Sequence, residues 1–181
     1  MTNLDYRPYT GIGSRSTPLS ALSCISFLAE KLDALGFTLR SGAAPGADAA
    51  FEKAASRKEI FLPWKGFNGS DSEIVDQSAE AFDIASSIHP NWSKLSAAGR
   101  RLHARNCHQV LGRDLNSPSL FVLCWTQNAM TVGGSATAIN LARASNIPVI
   151  NLGLWQMTTL ETVWSELENR IAGIPGIGIS L

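Results

Sequence analysis

Arg40-Ser-Gly-Ala-Ala-Pro-Gly-Ala-Asp-Ala-Ala-Phe51 is the stretch that decides the fold. It follows a β-branched and aliphatic run, Phe37-Thr-Leu39, and passes through small residues and a Pro-Gly pair into an alanine-rich helical pattern that begins at Asp48. A strand that ends in a glycine loop before a helix leaves several backbone N–H groups without intrahelical partners. Together with the positive end of the helix dipole, these groups can bind phosphate or another anion.

Two other stretches repeat this arrangement: Thr10-Gly-Ile-Gly-Ser-Arg15 near the start and Thr131-Val-Gly-Gly-Ser-Ala-Thr137 near the end. One such loop is weak evidence, because a tight turn between a strand and a helix favours glycine with or without a ligand. Three loops, each where a strand pattern gives way to a helix pattern, are a stronger signal. We therefore predict that they converge on one nucleotide-type ligand.

Strand and helix patterns alternate along the whole chain. The hydrophobic runs predict strands at 9–12, 37–39, 59–62, 120–124 and 147–151. The helical periodicity predicts helices at 19–35, 48–56, 72–88, 135–145 and 160–171, and one or two helices at 93–111. This alternation is typical of a doubly wound, mainly parallel α/β sheet of about five strands flanked by helices. We predict a single domain over 1–181, with a core at 9–152 and a C-terminal helix at 159–171. Ligands of such sheets bind outside the carboxyl ends of the strands, where all three glycine loops fall.

The composition limits the partners. Fifteen Lys and Arg residues balance 15 Asp and Glu residues, so no overall field attracts the chain to nucleic acid and a polyanion needs a local patch. Three widely spaced cysteines without a CxxC pattern are typical of a reduced cytoplasmic protein and give no zinc-ligand spacing. No signal-peptide core and no long apolar run occurs, so we expect a cytoplasmic protein with no membrane partner.

Four motifs occur in an order that resembles a known family: Gly11-Ile-Gly-Ser-Arg15, Ser41-Gly-Ala-Ala-Pro-Gly-Ala-Asp48, Arg105-Asn106, and Gly133-Gly-Ser135 followed by Ala138. The chain resembles the Rossmann-like domain of the SLOG superfamily over about residues 9–152, and it is most similar to the DprA branch. Short stand-alone versions of that domain are common in phage genomes, so the resemblance implies a phage type and a host-cytoplasm location. It also implies a homo-oligomer formed through the helices that flank the sheet.

The resemblance implies a nucleotide-derived ligand whose phosphates lie on the glycine loops. In DprA that ligand is single-stranded DNA, in the LOG branch it is a nucleoside monophosphate that is hydrolysed, and some immune effectors bind a nucleotide second messenger. The chain departs from two of these patterns. Phe51 or a neighbour stands where DprA has a histidine, and Ser135-Ala-Thr-Ala-Ile-Asn140 offers no counterpart of the LOG catalytic glutamate.

Several side chains are candidates for direct contact. Arg15 and Arg105 can neutralise phosphate charge, and Arg101, Arg105 and His108 share one helical face, whereas His103 and Arg100 are expected to be exposed. Asp48 fits equally a helix cap or a sugar or base contact. Trp125 fits equally base stacking or packing under the loops.

We predict binding, not turnover, with no catalytic residue, no metal and no cofactor. The predicted ligand-binding residues are Gly11, Gly13, Ser14, Arg15, Ser41, Gly42, Ala43, Gly46, Asp48, Arg105, Asn106, Trp125, Gly133, Gly134 and Ser135. Three functions stay open from sequence: a receptor or sequestering protein for a small nucleotide, a DprA-like single-stranded-DNA binder, and a nucleoside 5′-monophosphate N-glycosidase that uses Asp48 and Glu52.

Overall fold

A computed structural model describes residues 6–156 and 158–178; residues 1–5, 157 and 179–181 of the predicted 1–181 domain lie outside the described residues. Within those ranges five strands alternate with six α-helices. The strands are β1 (Arg7–Gly13), β2 (Phe37–Ser41), β3 (Lys58–Ile60), β4 (Val122–Trp125) and β5 (Val149–Asn151). The helices are α1 (Leu19–Ala34), α2 (Ala47–Ala54), α3 (Ala79–Ile88), α4 (Ala97–Leu111), α5 (Ala136–Ala144) and α6 (Leu160–Ala172). No helix in this part of the chain is long and apolar enough to cross a bilayer.

The strands form one sheet in the order β3-β2-β1-β4-β5, and every pairing is parallel. Thr10 lies opposite Arg40 on one side and opposite Val122 on the other. This arrangement confirms the predicted Rossmann-like, doubly wound fold. The strand order reverses between β1 and β4, and ligands of open α/β sheets bind in the crevice outside the carboxyl ends of such strands.

Helices cover both faces of the sheet. One hydrophobic cluster joins the sheet to α1, α2 and α6, and a second joins it to α3, α4 and α5. Neighbouring residues of β4 serve different faces, since Leu123 packs in the first cluster and Val122 in the second. All four residues of β4 are buried, as expected for a central parallel strand.

The N-terminal boundary of α3 differs from the prediction. The helical pattern begins at Ser72, whereas α3 begins at Ala79 with the Ser78 hydroxyl as its cap. The Ser72 hydroxyl donates to the Ile60 carbonyl and accepts from the Ile74 amide, and Ile74 pairs with Phe61 in an isolated parallel bridge. These side-chain bonds hold the segment extended in place of a helix.

The three cysteines are free thiols and are buried. Cys24 packs in the cluster on the α1 face, whereas Cys107 and Cys124 pack in the cluster on the α4 face. Burial raises the pKa of Cys24 to about 11 and the pKa values of Cys107 and Cys124 to about 12.

Arg40, at the end of β2, is a cation inside the fold with only 2% of its surface exposed. Its Nε forms an ion pair with Glu59 at 2.8 Å, and its terminal nitrogens donate to the Ser117 carbonyl at 2.6 Å and to the Tyr6 hydroxyl at 2.9 Å. Arg40 thereby joins β2, β3, the start of β1 and the turn before β4. Its task is structural, and it lies outside the predicted ligand site.

We expect Arg40→Met to lower the free energy of unfolding by about 3 kcal/mol, because it leaves the Glu59 carboxylate without its buried partner. Arg113→Met is the matched control. It breaks the exposed Arg113–Asp76 pair and should cost less than about 1 kcal/mol. Urea denaturation of both variants measures the difference, and equal losses would contradict the role given to Arg40.

Candidate functional site

The three predicted loops meet at one edge of the sheet, and Gly13 connects them. The Gly13 amide donates to Asp48 Oδ1 at 3.1 Å, which links the first loop to the second. The Gly13 carbonyl accepts from the Ser135 hydroxyl at 2.9 Å, which links the first loop to the third. The Ala47 amide donates to the Ser14 carbonyl at 3.2 Å and adds a further link between the first two loops.

We call the surface formed by residues 13–16, 42–46 and 133–135 the loop rim. It lies at the carboxyl ends of β1 and β2 and before α5. Each loop contributes at least one exposed residue: Arg15 in the first, Pro45 in the second, and Gly133 with Gly134 in the third. The rim is therefore open to solvent.

Helix α4 lies beneath the rim and is bonded to it through Arg105 and Asn106. Arg105 donates from its guanidinium to the Gly42 carbonyl, and Asn106 donates from its amide to the Gly134 carbonyl at 2.8 Å. Two neighbouring residues of one helix thus hold the second and third loops. Both residues are predicted ligand contacts, yet their observed bonds are to the loops themselves.

Asn68 also holds the second loop in place, a role that was not predicted from the sequence. Its side-chain amide donates to the Ala43 carbonyl at 2.8 Å. Asn68 has a left-handed backbone and lies between Gly66 and Gly69, which are left-handed too. The Gly-Phe-Asn-Gly run was the sequence signal for this turn, because Asn and Gly adopt positive φ most readily.

Close contacts with neighbouring atoms explain three of the five rim glycines. A side chain at Gly13 would overlap the Trp125 carbonyl, and one at Gly42 would overlap the Arg105 guanidinium. Gly46 has φ +83°, and a side chain there would overlap the Ser14 carbonyl. Gly134 differs, since a Cβ there meets nothing within 4 Å. The first three glycines are required by packing, whereas the space beside Gly134 is free.

Helix capping divides the helices into two groups. Helices α3, α4 and α6 each begin with a hydroxyl that accepts from a backbone amide of the first turn: Ser78, Ser96 and Thr159. Helices α1, α2 and α5, which follow the three rim loops, have no side-chain cap. Ser135 precedes α5 in the position of a cap, but its hydroxyl bonds to Gly13 instead. The helices that begin near the rim are thus the uncapped ones.

Most of the helical face shared by Arg101, Arg105 and His108 on α4 is buried. Arg101 is exposed, but Arg105 is only 5% exposed and His108 only 1%. Asp48 is 4% exposed, and its Oδ2 lies 4.0 Å from the Arg105 guanidinium. Burial raises the pKa of Asp48 to about 6 although Arg105 opposes the shift. Desolvation also lowers the pKa of Arg105, and Asp48 opposes that change.

Asp48 is not the cap of α2, which was one of the two alternatives left open by the sequence. The cap position of α2 is occupied by Gly46, and the buried carboxylate accepts from the Gly13 amide of another loop. The same burial removes the support for a catalytic pair with Glu52, because Asp48 is already bonded within the protein.

The expectation that His103 is exposed is wrong. His103 is 8% exposed, and its Nδ1 lies 2.8 Å from the Thr137 hydroxyl of α5. Burial lowers the pKa of His103 to about 4, with His89 and Arg105 adding to the shift. Arg100 is partly buried, with its guanidinium 5.7 Å from the Trp92 ring centre.

Three predicted contact residues lie beneath the rim. The Ser41 hydroxyl donates to the Gly11 carbonyl at 2.7 Å inside the sheet. A side chain at Gly11 would press on Leu39 and Phe51. Trp125 is 9% exposed and packs in the core, which favours packing over base stacking.

Two depressions in the described surface lie away from the rim. One of about 570 Å³ lies between α3 and α4 and is lined by Trp92, Arg100 and Arg101 among others. One of about 650 Å³ lies at the opposite edge of the sheet, near Arg7 and Arg57. No predicted ligand residue lines either depression. Since the rim has the uncapped helices and the free space at Gly134, we base the candidate site on the rim.

No protein-family model matches the chain, and no curated protein matches its sequence. A solved structure of DNA processing protein A from Helicobacter pylori matches with a TM-score of 0.55 at 19% identity, over 94% of this chain and 85% of that chain. The fold is DprA-like. That neighbour binds single-stranded DNA. The phage type, the homo-oligomer and the cytoplasmic location stay predictions.

Gly42 is packed against a buried side chain, whereas Gly134 borders free space. We expect Gly42→Ala to lower the free energy of unfolding by about 2–4 kcal/mol, because its methyl group displaces the buried Arg105 guanidinium. Gly134→Ala should change it by less than about 0.5 kcal/mol. Denaturant unfolding of the two variants decides this, and wild-type stability of Gly42→Ala would show that Arg105 can leave its position freely.

Proposed function

We propose that the chain binds the phosphate of a nucleotide-derived ligand at the loop rim. The observation that supports this most is the capping pattern: the three helices that follow the rim loops lack side-chain caps, whereas the other three are capped. A helix N-terminus without a side-chain cap can offer backbone amides and its positive dipole end to an anion. In α2 the Ala47 and Ala49 amides already donate to the Ser14 and Ala44 carbonyls, so α1 and α5 carry this support.

The third loop is the best place for the phosphate. Gly133 and Gly134 are exposed, and a ligand can approach the Gly134 backbone without meeting a side chain. The Asn106 bond to the Gly134 carbonyl fixes the orientation of that peptide. A preorganised loop binds more tightly because less conformational entropy is lost on binding.

Arg15 supplies the exposed charge. It follows Ser14 in the first loop, and the Ser135–Gly13 bond joins this loop to the third one. A guanidinium can make two parallel hydrogen bonds to a phosphate. Arg105 attracts the phosphate only through its positive charge and makes no direct contact, since it is buried and bonded to the Gly42 carbonyl.

A small nucleotide is the first candidate ligand, with the chain as its receptor or sequestering protein. The formal net charge is zero, so the protein as a whole does not attract a polyanion. A ligand with one or a few phosphates needs only the amides of the rim and the Arg15 charge.

Single-stranded DNA is the second candidate, and two observations favour it. The structural neighbour binds single-stranded DNA, and the rim is open, so a strand could continue past it. The two candidates share the phosphate site and differ in how many phosphates the protein neutralises.

Arg15→Gln and Gly134→Ala test the shared site. We expect each to weaken binding about tenfold or more in calorimetric titrations with a nucleotide panel and an oligo-dT, because a charged hydrogen bond or close backbone contact is lost. Lys53→Gln removes an equally exposed positive charge from the far end of α2 and should change affinity less than about twofold. If the wild-type chain binds none of these ligands, or both rim variants bind normally, the proposal is wrong.

The salt dependence distinguishes the two candidates. A single strand that contacts several phosphates should give a log–log slope of about −0.7 per phosphate, so five contacts give about −3.5. A mononucleotide should give a slope of about −1 or shallower. Native mass spectrometry of the purified protein adds a direct readout, since a co-purified small nucleotide favours the first candidate and tight binding confined to oligo-dT favours the second.

A further inference from the structure

The carboxylate of Asp48 lies where α2, the first loop and α4 meet beneath the rim. Asp48 is the second residue of α2, its Oδ1 accepts from the Gly13 amide of the first loop, and its Oδ2 faces Arg105 of α4. Arg105 in turn donates to the Gly42 carbonyl of the second loop. One ion pair thus sets how the Gly13 and Gly42 turns lie relative to each other.

Neither member of this pair is placed to contact a ligand. Both side chains are about 95% buried, and the Asp48 charge would repel a phosphate. The amide that Asp48 accepts from is also withdrawn from any ligand, since Gly13 has only one N–H. The pair nevertheless lies directly beneath the loops on which the proposed phosphate site depends.

We propose that Asp48 and Arg105 are positioning residues for the phosphate site, and that ionised Asp48 is the form that holds the rim ready for the ligand. This inference rests on the proposed function. Ionised Asp48 keeps the Arg105 guanidinium in place beneath Gly42 and orients the Gly13 peptide. Protonation removes the attraction for Arg105, so the two turns lose their common anchor.

The groups that face Asp48 are few. Arg105 approaches from α4, and Glu52 lies one helical turn further along α2. The two loops face Asp48 with backbone amides, from Gly13 and Ala44. The Arg105 charge also helps to lower the pKa of His103, which lies two residues before it on α4. His103 therefore belongs to the same electrostatic environment.

Stability and binding should respond to pH in opposite directions. The pKa of Asp48 is raised to about 6, above the value of about 3.9 for an unfolded chain. The stability that neutral Asp48 contributes is therefore fully present below about pH 3.9 and is lost as the pH rises through about 6. Ligand affinity should instead rise as the pH passes through about 6, because the ionised form holds the rim.

The test uses a thymidine dinucleotide phosphodiester and an oligo-dT without terminal phosphates, because phosphodiesters keep a constant charge between pH 5 and 7.5. We expect wild-type affinity to increase about tenfold from pH 5 to 7.5. Asp48→Asn keeps an oxygen acceptor for Gly13 but cannot ionise, so its affinity should stay near the wild-type pH 5 value throughout. Thermal unfolding establishes that this variant is folded at each pH.

Glu52→Gln is the matched control, since it removes a carboxylate from the same helix without a bond to the rim. It should keep the rise of affinity with pH, with a midpoint slightly below that of the wild type, because Glu52 adds a small part to the raised pKa of Asp48. All three proteins share the same histidines, so a profile that survives in Asp48→Asn would come from another group and overturn the inference. Tighter binding by Asp48→Asn at pH 7.5 would overturn it too, because Asp48 would then act only by repelling the ligand.

Failure of this inference is distinguishable from failure of the proposed function. If Arg15→Gln weakens binding while Asp48→Asn does not, the phosphate site stands and the positioning role is wrong. If the wild-type chain binds neither these probes nor any member of the nucleotide panel at any pH, the proposed function fails and the positioning role fails with it.

Discussion

The two hydrogen bonds of the Gly13 peptide groups are the constraint on which the rim depends. The amide of Gly13 is bonded to Asp48 and its carbonyl to Ser135, so one residue without a side chain connects loops that follow three different strands. The backbones can come this close only because a Cβ is missing, since a side chain here would overlap Trp125 and press on Ala47. Glycine is needed at this point for the contact between loops, whether or not a ligand also approaches it.

Bonds between the loops also involve groups at the starts of the uncapped helices α2 and α5. Ser135 donates its hydroxyl to Gly13 and therefore does not cap α5, and the Ala47 amide of α2 bonds to the Ser14 carbonyl. The loops satisfy part of one another's hydrogen-bonding needs and leave the exposed Gly133-Gly134 backbone for solvent or an anion. A site of this kind is built by tertiary contacts between loops, and each helix contributes only its N-terminal amides.

The sequence predicted the features that depend on neighbouring residues. Local hydrophobic patterns and glycine positions were enough to predict five parallel strands that alternate with helices. They also predicted that the three loops meet at one edge of the sheet. The buried state of Arg105 did not follow, because its partner Gly42 lies 63 residues away and a basic helical face is usually solvated. His103 was placed wrongly for a similar reason, since its partner Thr137 is 34 residues away. The start of α3 was missed because a single hydroxyl, that of Ser72, outweighed the helical periodicity.

The distribution of the cysteines gives the fold an internal reporter for each side of its sheet. Cys24 lies on the buried side of α1, whereas Cys107 and Cys124 lie on the opposite face of the sheet, and burial keeps all three thiols protonated at neutral pH. Because only a thiolate reacts readily with alkylating reagents, each cysteine becomes reactive when its own layer opens. The order in which the three sites are alkylated therefore records which helical layer separates from the sheet first.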